Sequence, residues 1–213
     1  MELWRLMNGW TLDGVAKTYE RTGISFDKYY YESDTYKLGK DKVLEGLERG
    51  IFQKADDGSV YIDNSDIGLD RKILLRRDGT SIYITQDIGT AINRHEDWPF
   101  DSLIYVVASE QNYHFKVLFH VLEKLGYSWA KDLHHLSYGM VFLPEGKMKS
   151  REGTVVDADN LIDDLTKMAK DQILEKGREG DLDDVDDTAH KIALGALNYY
   201  ILQFNPNKDF VFN

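Results

Sequence analysis

A chain of 213 residues, 42% of them hydrophobic and 12% aromatic, carries enough apolar surface for one large domain or a domain with a small appendage. It has no cysteine, which excludes disulfides and thiolate metal sites and suits a reducing cytoplasm. No apolar run reaches about 18 residues and no signal-peptide pattern opens the chain, so neither a membrane nor export is expected. The net charge of −11 is unevenly spread, with twelve acidic and four basic residues between Asp157 and Asp187, so a phosphate site elsewhere is compatible with it.

Leu3, Leu6, Met7 and Trp10 recur at helical spacing with no N-cap before them, as expected of a chain that begins inside a helix. The helix is predicted to run through Val15 and Tyr19 to a stop at Gly23. Lys40 to Gly50 reads as an amphipathic helix with Val43, Leu44 and Leu47 apolar. After the turn Asp56-Asp57-Gly58, Ser59 to Ile62 reads as a strand. Lys72 to Arg77 reads as another, joined through Asp78-Gly79 to a third at Ser81 to Thr85.

Leu103 to Ala108 is a continuous apolar run, the pattern of a strand covered on both faces of a parallel sheet. Phe115, Leu118, Phe119, Leu122 and Leu125 form a helix stripe closed by Gly126, and Leu136 to Phe142 reads as the next strand. The three make a βαβ unit, and open parallel sheets bind ligands beyond the carboxyl ends of their strands. Leu161 to Lys176 is predicted helical, Gly177 to Asp187 an acidic connector, and Ala189 to Phe204 a strongly apolar helix before Pro206. The ending Phe210-Val211-Phe212-Asn213 has no cap or polar tail, as expected of a chain cut within a longer one.

The residues Gly146-Lys147-Met148-Lys149-Ser150-Arg151-Glu152-Gly153 pack three cations and a hydroxyl between two glycines. Glycines let a backbone approach a ligand, while Lys, Arg and Ser supply the point charge, planar fork and hydroxyl that a polyphosphate takes. A solvated basic loop has the same composition. Tyr83 and Asp87 fall at the expected join between the Ile82 strand and a following helix, and Gln111 between the Leu103 strand and its helix. A phenol, a carboxylate and an amide converging there suit a cationic ligand rich in hydrogen bonds. Singly, Asp87 also fits a helix N-cap, Tyr83 a core position and Gln111 a helix start.

The histidines make no metal case: His114 and His120 are six apart, His134 and His135 are adjacent, and His95-Glu96 lacks a second histidine. There is no Gly-x-Gly-x-x-Gly, no Walker loop and no Gly-x-Ser-x-Gly, which excludes dehydrogenases, P-loop enzymes and the commonest hydrolases.

Three stretches in order resemble a known family. Tyr83-Ile84-Thr85-Gln86-Asp87-Ile88 is similar to Tyr-x-Thr-Arg-Asp-Leu/Ile, and Tyr105 to Phe115 to Val-Val-Gly-x-x-Gln-x-x-His-Phe. Lys147 to Gly153 resembles the class I Lys-Met-Ser-Lys-Ser loop in its form Lys-Met-Ser-Thr-Arg-x-Gly. These are signatures of the class I arginyl-tRNA synthetases, in the later half of their catalytic domain. Gly195 to Tyr200 and the Phe-Val-Phe ending extend the similarity over nearly the whole chain.

The resemblance implies an α/β fold: part of a Rossmann-like parallel nucleotide-binding sheet, with an inserted connective region and a C-terminal helical segment. Residues 1–75 would be catalytic domain with the insertion, 76–157 the second half of the nucleotide-binding fold with the basic loop, and 158–213 a helical segment. It implies that Asp87 pairs with the guanidinium of substrate arginine, that Tyr83 packs on it and bonds to it, and that Gln111 orients the amino acid. Gly146, Lys147, Met148, Lys149, Ser150 and Gly153 would close over ATP, with Lys147 and Arg151 near its phosphates during adenylation. The implied partners are arginine, ATP with Mg²⁺ and tRNA(Arg), with no tightly bound cofactor, no protein metal site and no membrane, in a cytoplasmic monomer.

The sequence also departs from the family. Gln86 stands where the family has Arg, and Ser150 where most class I loops have a second Lys, with Lys149 one position early. No His-x-Gly-His occurs, so the chain alone is expected to be inactive. Two other readings stay open: a truncated synthetase-like binding module working through its 157–187 face, and a class I synthetase of other specificity.

Overall fold

The computed structural model describes residues 2–35, 37–144, 146–147 and 155–212. In chain order the elements are α1 (Glu2–Thr22), α2 (Glu32–Thr35), α3 (Lys40–Glu48), β1 (Gln53–Lys54), β2 (Val60–Ile62), β3 (Lys72–Leu75), α4 (Tyr83–Asp97), β4 (Leu103–Ala108), α5 (Asn112–Leu125), β5 (Leu133–Tyr138), β6 (Val141–Leu143), β7 (Gly146–Lys147), α6 (Ala158–Glu175), α7 (Val185–Leu202) and β8 (Phe210–Val211). They fall into two compact units, one of residues 29–139 and one of residues 1–28 with 140–213.

In the 29–139 unit, β1, β2 and β3 form an antiparallel sheet in that order, and β4 and β5 pair in parallel from Leu103 opposite Leu133 to Ala108 opposite Tyr138. Helix α5 is the crossover of a β4-α5-β5 unit, as the apolar run and helix stripe predict. It stops at Gly126, whose φ of 94° is a left-handed value that suits glycine. One apolar core runs through the unit: Val43 from α3, Val60 and Ile62 from β2, Leu74 and Leu75 from β3, Ile84 and Ile88 from α4, and Leu118 and Leu122 from α5.

The 29–139 unit departs from the sequence expectation at two strands. Ser81 to Thr85 is not a strand: the Asp78-Gly79 turn forms, with Gly79 N–H bonded to Arg76 O at 2.8 Å, but pairing beyond it shrinks to one bridge between Leu75 and Ser81. Helix α4 begins at Tyr83 because buried Thr85 donates its hydroxyl to Leu74 O while accepting the Ile82 N–H at 3.3 Å, binding the first turn to β3. The Leu103 run is not covered on both faces either. Tyr105 packs against Phe115 and Phe119 on one side, while Ile104 and Val106 remain 57% and 62% exposed on the other.

Helix α4 is also held by a backbone crossing. A side chain at Gly39 would begin 1.9 Å from Thr85 O and one at Gly89 would begin 2.2 Å from Leu38 C, so the 38–39 backbone lies directly on α4.

In the other unit α1 ends as predicted, with Gly23 at φ 70° and Ile24 N–H returning to Tyr19 O at 2.9 Å. None of its residues is buried. It is tied to α6 by Arg21, which bonds Asp159 at 2.6 Å and Asp163 at 2.5 Å, and by the Thr18 hydroxyl, which donates to Asp159 at 2.7 Å. Helices α6 and α7 pack together and are each capped by an aspartate, Asp157 accepting from Asn160 N–H and Asp184 from Asp186 and Asp187 N–H.

The predicted Leu136 to Phe142 strand is two strands. β5 ends at Tyr138; Met140 N–H is taken by Asp209 Oδ1 at 2.6 Å and Met140 O by Phe210 N–H at 3.1 Å, which draws β6 into a second sheet. There β6 pairs antiparallel with β7 and parallel with β8. The glycine-bounded basic stretch therefore opens from a β6–β7 hairpin and not from the last strand of the βαβ unit.

Candidate active site

Tyr83 and Asp87 are four apart on α4, one turn of one helix face. Gln111 closes the 3₁₀ turn that follows β4, and His114 lies three residues on in the first turn of α5. These meet in a cleft of about 540 Å³ within the 29–139 unit, lined by Lys72, Ile82, Tyr83, Ile84, Asp87, Val107, Gln111, His114 and Phe115. The sequence-predicted trio thus shares one site. Asp87 and Tyr83 sit on a helix and not at a strand end, so Asp87 is not an N-cap. Tyr83 is 77% exposed and not a core residue.

Polar contacts organise the cleft. His114 Nε2 lies 2.6 Å from Asp87 Oδ2, and since a carboxylate only accepts, the imidazole donates. Lys72, from β3, holds its ammonium 5.2 Å above the Tyr113 ring. Behind Asp87, burial pushes the Tyr105 phenol above its ordinary value and the Asp87 charge adds to this, while nearby Arg94 opposes it. His114 and Lys72 were missed as site residues. The signal for His114 was available, since Gln111 and His114 are one helical turn apart.

A second cavity of about 500 Å³ lies along α6 and α7 and is mostly apolar, lined among others by Leu165, Met168, Ile173, Ile192 and Ala196. Its polar lining, Gln172, Lys176, Arg178 and Thr188, holds no carboxylate or imidazole, so the cleft beside Asp87 is the better chemical candidate. Among the described residues no group of three or more His, Asp or Glu could hold a metal ion. Of the expected ATP loop, Gly146 is described, with φ 123° in β7. Met148, Lys149, Ser150, Arg151 and Gly153 lie outside the described residues, as does the Lys147 side chain.

The profile of the tRNA synthetases class I (R), catalytic domain, matches residues 1–213. The chain belongs to this family. It is 63% identical over 211 residues to an arginine–tRNA ligase of Treponema denticola and 55% identical over 213 residues to one of Bacteroides thetaiotaomicron, covering 99% of this chain in each case. It spans 36% of the length of either relative. Among solved structures, arginyl-tRNA synthetase from Plasmodium falciparum superposes over 99% of this chain and 35% of its own, with a TM-score of 0.81 at 20% identity. The Thermus thermophilus arginyl-tRNA synthetase covers 92% of this chain and 39% of its own, with a TM-score of 0.77 at 23% identity. The α/β fold with its parallel pair is that of the class I synthetase catalytic domain.

Proposed function

We propose that this chain is the amino-acid-selecting part of an arginine–tRNA ligase, in which ATP activates arginine and the arginyl group passes to tRNA(Arg). The observation that carries the reading is the convergence of Tyr83, Asp87 and Gln111 in one cleft. Asp87 receives the guanidinium, because a fixed carboxylate matches a planar fork better than the point charge of lysine. The exposed Tyr83 ring, one turn earlier, packs on the same group, and the Gln111 amide orients the α-amino acid end.

In the reaction an arginine carboxylate oxygen attacks the α-phosphorus of ATP, the bond to the β-phosphate oxygen breaks, and pyrophosphate leaves. A hydroxyl of the terminal tRNA ribose then attacks the adenylate carbonyl and AMP leaves. Lys147 and Arg151, with Gly146, Met148, Lys149, Ser150 and Gly153, form the loop over ATP and offset charge on the departing pyrophosphate. Mg²⁺ arrives on the ATP phosphates, where that ion needs few protein carboxylates. In this reading residues 1–75 carry the connective insertion, 76–157 the half-fold with the loop, and 158–213 the helical segment, in a cytoplasmic monomer. Among the described residues no helix is long and apolar enough to cross a membrane.

Replacing Asp87 by Asn in the full-length ligase is expected to raise the KM for arginine about 100-fold while leaving ATP binding intact, by analogy with truncating a charge-assisted pair. Unchanged arginine kinetics overturn the assignment. The isolated chain, which has no His-x-Gly-His, is expected to give no arginine-dependent exchange of pyrophosphate into ATP. Exchange above background refutes that.

A further inference from the structure

The contact between His114 and Asp87 goes beyond the three side chains that read the ligand. Asp87 stands on the second turn of α4 with its side chain 47% exposed, and two rotatable bonds leave such a carboxylate free to turn in the cleft. His114 is more enclosed, with its side chain 19% exposed and its ring edge-on to Phe115 at 5.6 Å. It spans from α5 to α4, and its Nε2–H holds Asp87 Oδ2 at 2.6 Å, the length of a charge-assisted hydrogen bond.

We propose that His114 is a positioning residue for the arginine site. It locks the plane of the Asp87 carboxylate, leaving Oδ1 and the second lone pair of Oδ2 directed at the guanidinium. The inference rests on the arginine reading of the cleft. An imidazole suits the task because it can donate a hydrogen without carrying charge. It orients the carboxylate and leaves the negative charge for the ligand, whereas a lysine or arginine in its place would neutralise that charge before substrate arrived. Lys72 lines the same cleft, yet its ammonium rests over Tyr113, so the contact on Asp87 Oδ2 comes from the imidazole.

The geometry predicts a selective kinetic effect. A freely turning carboxylate must be ordered when the guanidinium binds, and that cost falls on arginine affinity and not on ATP. In the full-length ligase His114→Ala should raise the KM for arginine about tenfold with the KM for ATP changed less than about twofold. His114→Gln, which returns an N–H near the Nε2 position, should recover most of the loss. In an Asp87→Asn background His114→Ala should add almost nothing, because its effect passes through Asp87.

If the alanine variant fails to fold, His114→Leu keeps the bulk without the donor and should show the same rise. Equal increases for arginine and ATP, a glutamine variant no better than alanine, or full additivity with Asp87→Asn each overturn the positioning role. An Asp87→Asn enzyme with normal arginine kinetics instead overturns the arginine reading itself, so the two failures are distinguishable.

Discussion

The two compact units of this chain are held together by different forces. The 29–139 unit has one continuous apolar core, drawn from α3, the antiparallel sheet, α4, β4-α5-β5 and the turns between them. The unit of 1–28 and 140–213 buries few hydrophobic residues, namely Ile162, Ile173, Ala189 and Ala193 among those described. In it Leu3, Trp4, Leu6, Met7 and Trp10 of α1 and Tyr199 and Leu202 of α7 are exposed, and aspartate caps and the Arg21 clamp fix the helices. Apolar burial supplies most of the free energy of folding, while partly exposed ion pairs add about 0–1 kcal/mol each. The cleft with Asp87 therefore stands on the rigid unit, where a carboxylate can be held to a fixed geometry.

The largest effect expected is at the backbone crossing. Gly39→Ala puts a Cβ 1.9 Å from Thr85 O at a φ of 96°, and should cost roughly 4 kcal/mol from clash and strain together. Urea denaturation of the 29–139 unit, followed through Trp129 in its aromatic cluster with His95 and Phe100, checks this. A loss under about 1 kcal/mol would mean that the crossing opens without penalty.

Next is a pair of leucines. Leu118→Ala, at a fully buried position, should cost about 3 kcal/mol, whereas Leu6→Ala on exposed α1 should cost less than about 0.5 kcal/mol. Comparable losses in thermal or urea unfolding would remove the contrast between the units.

Smallest is a pH effect at Asp66, whose carboxylate lies 2.6 Å from Lys124 Nζ and 3.1 Å from buried His120 Nε2, pinning the 63–68 turn to α5. The Lys124 hydrogen bond, with help from His120, holds Asp66 below the usual carboxylate range against the effect of burial. Because the folded value is the lower one, its stabilisation is complete above the unfolded value of about 3.9 and is lost as pH falls through the folded value. Asp66→Asn should flatten this acid limb of a thermal-melt series; an unchanged limb would show that the pair contributes nothing.

The sequence carried the regular features well where one local signal decided them. Gly23 and Gly126 mark helix ends because only a left-handed residue closes those turns, and the apolar run with its 3.6-residue stripe marks β4-α5-β5. The first turn of α4 was misread because Ser81-Ile82-Tyr83-Ile84-Thr85 alternates like a strand. The deciding contact, Thr85 on Leu74 O, joins residues eleven apart and leaves no periodic trace. The break at Gly139-Met140 was hidden for the same reason, since the partner of Met140 is nearly seventy residues later. Of the residues lining the cleft, Tyr83, Asp87 and Gln111 fall in motifs that the sequence displays, while Lys72 comes from a strand whose place beside α4 only the fold supplies.

The pairing of β6 with β8 has a consequence for synthesis. The apolar core of the 29–139 unit draws only on residues of that unit, but β6 gains its parallel neighbour only when Phe210 and Val211 exist, and α1 meets Asp159 only after a long wait. At a ribosomal pace of about 5–20 residues per second, the seventy-odd residues after Gly139 take on the order of ten seconds. For the first part of that interval Arg21 of α1 is made without the Asp159 and Asp163 carboxylates that later take its guanidinium. A chain halted soon after Gly139 therefore has every residue of the 43–133 apolar core in place, while α1 and β6 still lack the partners that fix them.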